Sequence, residues 1–166
     1  MKTVFITGTN KGLGLEFSKQ YLNEGHAVIA TCRNPDQASE LNALHAMHPG
    51  KLTILKMDLS DEASIQRIGH DIKDRPVDIF ISNAGTAKGY ASEAHLNNFG
   101  FVQSGPWIDV FRTNCVGPLL LAQVVHPNIL LGQDKKLVFI PPNPASITEN
   151  PGGAMYMNRS SRTALN

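Results

Sequence analysis

Cysteine is scarce in this chain: Cys32 and Cys115 are the only two in 166 residues. They form neither a CxxC nor a zinc spacing, which excludes a disulfide framework and leaves two reduced, buried thiols as the expectation. Excess charge is missing too. A formal net charge of +1 gives no reason to expect a nucleic acid or an anionic membrane as partner. No uninterrupted apolar run approaches the ~18 residues of a membrane span. The N-terminus enters a strand without the charged and apolar regions of a secretory signal, so the expected location is cytoplasmic. Internal repeats and low-complexity segments are absent, and the length suits one domain over residues 1–166. His45 and His48 stand three apart on an expected helix but lack a third ligand at matching spacing, so they read as surface residues and no metal site is expected.

What the chain does have is a glycine-rich turn in a telling place. Val4-Phe5-Ile6-Thr7 is a short β-branched and aromatic run, Gly8, Gly12 and Gly14 follow, and Leu13, Phe17, Tyr21 and Leu22 then recur at helical spacing. This reads as strand, turn, helix. Gly8 can take the tight bend, Gly12 lets backbone approach a pyrophosphate, and Gly14 lets the helix pack closely on the sheet. The helix start adds free N–H groups and a positive dipole end, so the turn is a phosphate cradle.

The rest of the chain alternates apolar runs with helical patterns. Strands are expected near 3–7, 27–32, 52–57, 77–82 and 136–140, and helices near 12–24, 36–47, 61–74 and 106–131, with a last one from about 155. Such alternation predicts an α/β fold with a doubly wound parallel sheet, Rossmann-like, in the order 3-2-1-4-5. Its ligand crevice then lies over the strand ends between the first and fourth strands, where the glycine turn and Asn83-Ala84-Gly85 meet. The polar, glycine-containing stretch 84–105 is long enough to read as a functional loop.

Strand two ends in Ala30-Thr31-Cys32-Arg33, with no acid to hold the ribose 2′-hydroxyl of NAD. Arg33, with Lys11 beside it, instead suits a 2′-phosphate, which favours NADP(H) over NAD(H). Ser60 is the expected N-cap of the next helix, leaving Asp58 free to face the crevice. Asn83 can bond neighbouring strand ends. In the fourth helix Ser104 is the expected N-cap, with Pro106 in the first turn. Ile108, Phe111, Cys115 and Leu119 form its expected core stripe, and Pro118 frees the carbonyl of Asn114 to hold a water.

Thr7-Gly8-Thr9-Asn10-Lys11-Gly12-Leu13-Gly14, with Asn83-Ala84-Gly85 and Asn114-x-x-Gly117, resembles the short-chain dehydrogenase/reductase family, most closely its carbonyl-reductase and C-factor-like members. The resemblance implies a dinucleotide shell of Gly8, Asn10, Lys11, Gly12, Leu13, Gly14, Arg33, Asp58, Leu59, Asn83, Ala84 and Gly85. It also implies that Asp58 accepts from the adenine amino group and that Asn114 supports a proton relay. Alignment of the chain's end, however, places the family's catalytic Ser on Pro142, its Tyr on Asn158 and its Lys on Arg162. An amide has no proton to give near neutral pH, proline has no donor, and a guanidinium is not a compact ammonium. Tyr156, two residues before Asn158, lies about 200° around a helix from it.

Three functional expectations follow. The first is an NADP(H)-binding protein of carbonyl/alcohol oxidoreductase ancestry that transfers hydride poorly or not at all. The second is an active NADPH-dependent carbonyl reductase using substitute residues. The third is a non-enzymatic C-factor-like signalling or interaction protein. The chain ends inside the family's last conserved helix, so the sheet is expected to stop at an unpaired edge, Leu137-Val138-Phe139-Ile140. That edge, with the apolar helix end Ile129-Leu130-Leu131, predicts a homodimer.

Overall fold

The computed structural model describes residues 1–86, 98–141, 145–150 and 152–166. Its centre is a parallel sheet of five strands, β1 (Thr3–Thr7), β2 (Ala27–Cys32), β3 (Leu52–Lys56), β4 (Ile79–Ser82) and β5 (Lys136–Phe139), in the order β3-β2-β1-β4-β5. The doubly wound expectation therefore holds, strand for strand. β1 is central, pairing Phe5 with Ile29 on one side and with Phe80 on the other.

Period-two alternation sends the side chains of β1 to two cores. Val4 and Ile6 pack with Val28, Ala30, Leu22 and Leu41 beneath α1 (Gly12–Asn23) and α2 (Ser39–Met47). Phe5 packs with Ile29, Phe80, Ile65 and Leu121 beneath α3 (Glu62–Asp71) and α5 (Gly117–Leu131). Val4, Phe5 and Ile6 are fully buried, and each such side chain contributes roughly 1.5–3 kcal/mol. Burial on both faces is why these strands read as continuous apolar runs.

At the end of the sheet opposite the glycine turn, two buried polar side chains tie the elements together. The Asp78 carboxylate accepts from the Thr3 and Gln133 N–H groups, each at 2.7 Å. The Asn128 amide donates to the carbonyls of Ile72 and Arg75 at 2.7 and 2.9 Å. This fixes the floor of the fold and leaves its other end for the crevice.

The expected helix at 106–131 is divided. Helix α4 (Ser104–Phe111) runs into a π-helical turn, Arg112–Val116, and then into α5. Gln103, not Ser104, is the N-cap of α4. The expected core stripe is not the buried one, because apolar residues lie on both faces of this helix and spacing alone does not choose between them. Ile108 and Leu119 are each 57% exposed, whereas Val110, Asn114, Leu121 and Val125 are fully buried. At Gly117 a Cβ would collide with the Leu59 carbonyl, so backbone is pressed against backbone.

Ser104–Leu131 forms one 28-residue helical stretch, long and apolar enough to cross a membrane by length and composition only. Its polar residues are scattered, so it holds no uninterrupted apolar run of that length. In the fold it is a core helix, with Leu121, Val125 and Ile129 buried against α3 and β4. The last helix, α6 (Tyr156–Thr163), is entered through Gly153, Ala154 and Met155 at φ of 61°, 54° and 57°. These three successive residues are left-handed, and two of them are not glycine.

Candidate functional site

The chain doubles back sharply after Thr7. Gly8, at φ 71°, and Thr9 both donate their N–H groups to the Thr31 carbonyl, at 2.9 and 3.1 Å, which pins the turn to the end of β2. A Cβ on Gly8 would stand 2.9 Å from Cα of Ala84, so only glycine lets the turn and the end of β4 meet. Gly12, at φ 61°, has nothing within 4 Å of that position and opens onto the crevice. Lys11 caps α1 with no side-chain hydrogen bond, and no acid lies in the first turn. The positive end of α1 is therefore available to an anion.

Asn83 stitches the two central strands. Its amide donates to the carbonyls of Thr7 and Gly8 at 3.0 and 3.3 Å. A Cβ on Gly14 would stand 2.6 Å from that amide nitrogen, so Gly14 makes room for the stitch. The Thr7 hydroxyl accepts from the N–H groups of Asn83 and Ala84, at 3.0 and 2.9 Å. Sequence reading missed Thr7, although a hydroxyl ending an apolar strand is a signal for such a contact.

The end of β3 departs from expectation. Asp61, not Ser60, caps α3, its carboxylate accepting from the Ala63 N–H at 3.0 Å. Ser60 instead donates both its N–H and its hydroxyl to Asp58, at 2.8 and 2.7 Å, so Asp58 is not free. Both residues are competent caps, and the tight turn after β3 decides between them.

Together these elements enclose a crevice of about 770 Å³. Of the expected shell, Gly8, Asn10, Lys11, Gly12, Arg33, Asp58, Leu59, Asn83, Ala84 and Gly85 line it. Leu13 and Gly14 do not: Leu13 is 62% exposed on α1. Thr31, Cys32, Met57, Ser60, Thr86, Asp109, Arg112 and Thr113 also line it and were not foreseen. The last three are the polar residues of one helical stretch at spacings of three and four, a pattern that could have revealed them. Burial pushes the Cys32 thiol above its ordinary pKa.

Asn114 sits behind the crevice, fully buried. Its side-chain oxygen accepts from the Thr86 N–H at 2.8 Å, and its amide donates to the Thr86 carbonyl and the Ser161 hydroxyl at 3.1 and 3.2 Å. It is thus a latch between the loop after β4 and α6. On α6, Asn158 is 3% exposed and Arg162 9%. The Arg162 guanidinium fills the place beside Gly85 where a Cβ would stand. Trp107 of α4 donates to the Ser160 hydroxyl at 2.9 Å and packs its ring 6.4 Å from that of Tyr156. Tyr156 therefore lies on the α4 side of its helix. Pro142 lies outside the described residues. Of the cysteines, Cys32 is buried and Cys115 only partly so.

The sequence matches the family model described as short chain dehydrogenase over residues 2–164. It is 29% identical over 175 residues to an uncharacterised oxidoreductase of Schizosaccharomyces pombe, covering 99% of this chain and 64% of that one. An uncharacterised oxidoreductase of Bacillus subtilis is 32% identical over 134 residues, covering 77% of this chain and 44% of the other. The chain thus spans between roughly half and two thirds of the length of these curated relatives. Among solved structures, NADPH-bound carbonyl reductase from chicken fatty liver superposes with a TM-score of 0.84 at 29% identity, covering 99% of this chain and 70% of that one. A carbonyl reductase from Pseudomonas aeruginosa gives a TM-score of 0.86 at 25% identity, with 99% and 70% covered.

Proposed function

Because this chain belongs to the short-chain dehydrogenase family, we propose that its crevice binds a nicotinamide dinucleotide, NADP(H) in preference to NAD(H), and that the chain as it stands transfers hydride only at background rate. The observation that carries the reading is the charge at the crevice mouth: Lys11 and Arg33 line it, and β2 ends without an acid. The residues fit the group. The open face of Gly12 and the uncapped start of α1 suit the pyrophosphate, Arg33 and Lys11 the 2′-phosphate, and the Asp58–Leu59 turn the adenine.

Such a cofactor supplies the hydride for carbonyl reduction, and the protein must supply the proton. Here the matching positions offer Asn158 and Arg162, both nearly closed off from solvent, and Asn114, whose amide is engaged by Thr86 and Ser161. Of the substitute hydroxyls, Ser160 accepts from Trp107 and donates its proton to the Tyr156 carbonyl, while Ser146 accepts from the Glu149 N–H. Oxidoreductase ancestry with impaired chemistry is thus favoured over an active carbonyl reductase. As part of the same reading, the chain pairs as a homodimer through the apolar faces that it exposes.

Calorimetric titration with NADPH and NADH tests the cofactor assignment. Losing a charged hydrogen bond costs ~1.5–3 kcal/mol, so Arg33→Ala should weaken NADPH binding about tenfold or more and leave NADH nearly unchanged. Equal losses for both cofactors would overturn the role given to Arg33.

A further inference from the structure

We infer that the 2′-phosphoadenosine diphosphate half of the dinucleotide is the whole of what this crevice recognises, and that the nicotinamide half adds little affinity. The inference rests on the dinucleotide reading above. In a doubly wound sheet of this order the two halves of a dinucleotide lie on either side of the β1–β4 switch point, adenosine over β1 to β3 and the second nucleotide toward β4 and β5. Among the described residues, the crevice is lined by the ends of β1 to β4, the loops that follow them, α4 and the π turn, and by no residue of β5 or α6.

Toward the second nucleotide the crevice reaches Asn83, Ala84, Gly85 and Thr86 at the end of β4 but takes no lining from α6. Asn158 and Arg162, the α6 residues at the family's reactive positions, are 3% and 9% exposed. The Arg162 guanidinium occupies the space over Gly85. That head is broad and planar, where a lysine would present a compact ammonium. Helix α6 is also held down at two points, by Asn114 on the Ser161 hydroxyl and by Trp107 on the Ser160 hydroxyl. A nicotinamide ribose would have to displace a clamped helix to gain a contact with α6. The adenosine side needs no such change, because Lys11, Arg33 and the open face of Gly12 already line the crevice.

The test is isothermal titration of the intact chain with NADPH, NADP⁺, 2′-phospho-ADP-ribose, ADP-ribose and nicotinamide mononucleotide. The expected result is that 2′-phospho-ADP-ribose binds within fivefold of NADPH and NADP⁺, that removing the 2′-phosphate weakens binding at least tenfold, and that the mononucleotide gives no heat. Binding of NADPH or NADP⁺ more than fivefold tighter than 2′-phospho-ADP-ribose overturns the inference and leaves the dinucleotide reading standing. Silence from all five overturns both. Arg162→Lys should move the ratio at least threefold toward the intact dinucleotides, and an unchanged ratio would remove Arg162 from the explanation.

Discussion

Cys32 is a natural reporter at the scale of single residues. It lines the crevice, is 5% exposed, and burial holds its thiol above the ordinary range. A raised value means less thiolate at neutral pH, so alkylation should be slow at pH 7 and should accelerate as the pH passes the usual thiol value of about 8.5. Burial raises the Cys115 thiol as well, but Cys115 does not line the crevice. Peptide mapping after timed iodoacetamide exposure should therefore show NADPH protecting Cys32 and not Cys115; equal protection would place the ligand elsewhere. The catalytic positions give a second expectation. General acid catalysis is worth ~10²–10⁴ in rate, and residues that act as a unit recover together. Asn158→Tyr, Arg162→Lys and Pro142→Ser combined should raise carbonyl reduction well above any single change. Strong turnover by the unaltered chain, abolished in Tyr156→Phe, would show that the acid was misplaced.

Among the elements, the left-handed run before α6 stores strain. A non-glycine residue in that conformation costs ~1–2 kcal/mol, and Ala154 sits there at φ 54°. Ala154→Gly should stabilise the chain by roughly 0.5–1 kcal/mol, after the extra entropy of the unfolded glycine is counted. A urea midpoint that falls in the variant would mean that the turn is not strained. The strands and the glycine turn were legible because their signals are local: period-two apolar runs, and glycines where backbone must approach backbone. The π turn was not: no local signal marks it, and it runs into Gly117, whose backbone meets the Leu59 carbonyl 58 positions away in sequence. Ile108 and Leu119 face outward, while Asp109, Arg112 and Thr113 reach the crevice. Asp58 was misread for a subtler reason: three residues able to cap stand between 58 and 61, and only the geometry of the turn chooses among them.

At the scale of the whole molecule, the apolar surface is unevenly spread. Ile108, Val116, Leu119, Leu130 and Leu131 are between 41% and 57% exposed along one continuous helix, and Trp107, Ile108, Phe111, Arg112 and Val116 line a hollow of about 430 Å³. The edge strand β5 adds Leu137 and Val138, at 45% and 38%. Surfaces of this kind favour pairing. Light scattering on dilute protein should give the mass of a dimer, and a monodisperse, thermally stable monomer would show that these faces need no cover.

The central position of β1 has a consequence in time. Its Val4, Phe5 and Ile6 are finished when β2 and β4 both lie alongside, yet β4 ends only at Ser82. At a synthesis rate of ~5–20 residues per second, the middle strand of the sheet waits about 4–15 seconds on the nascent chain for its second neighbour. Through that interval one edge of this apolar strand is open to any other strand that passes.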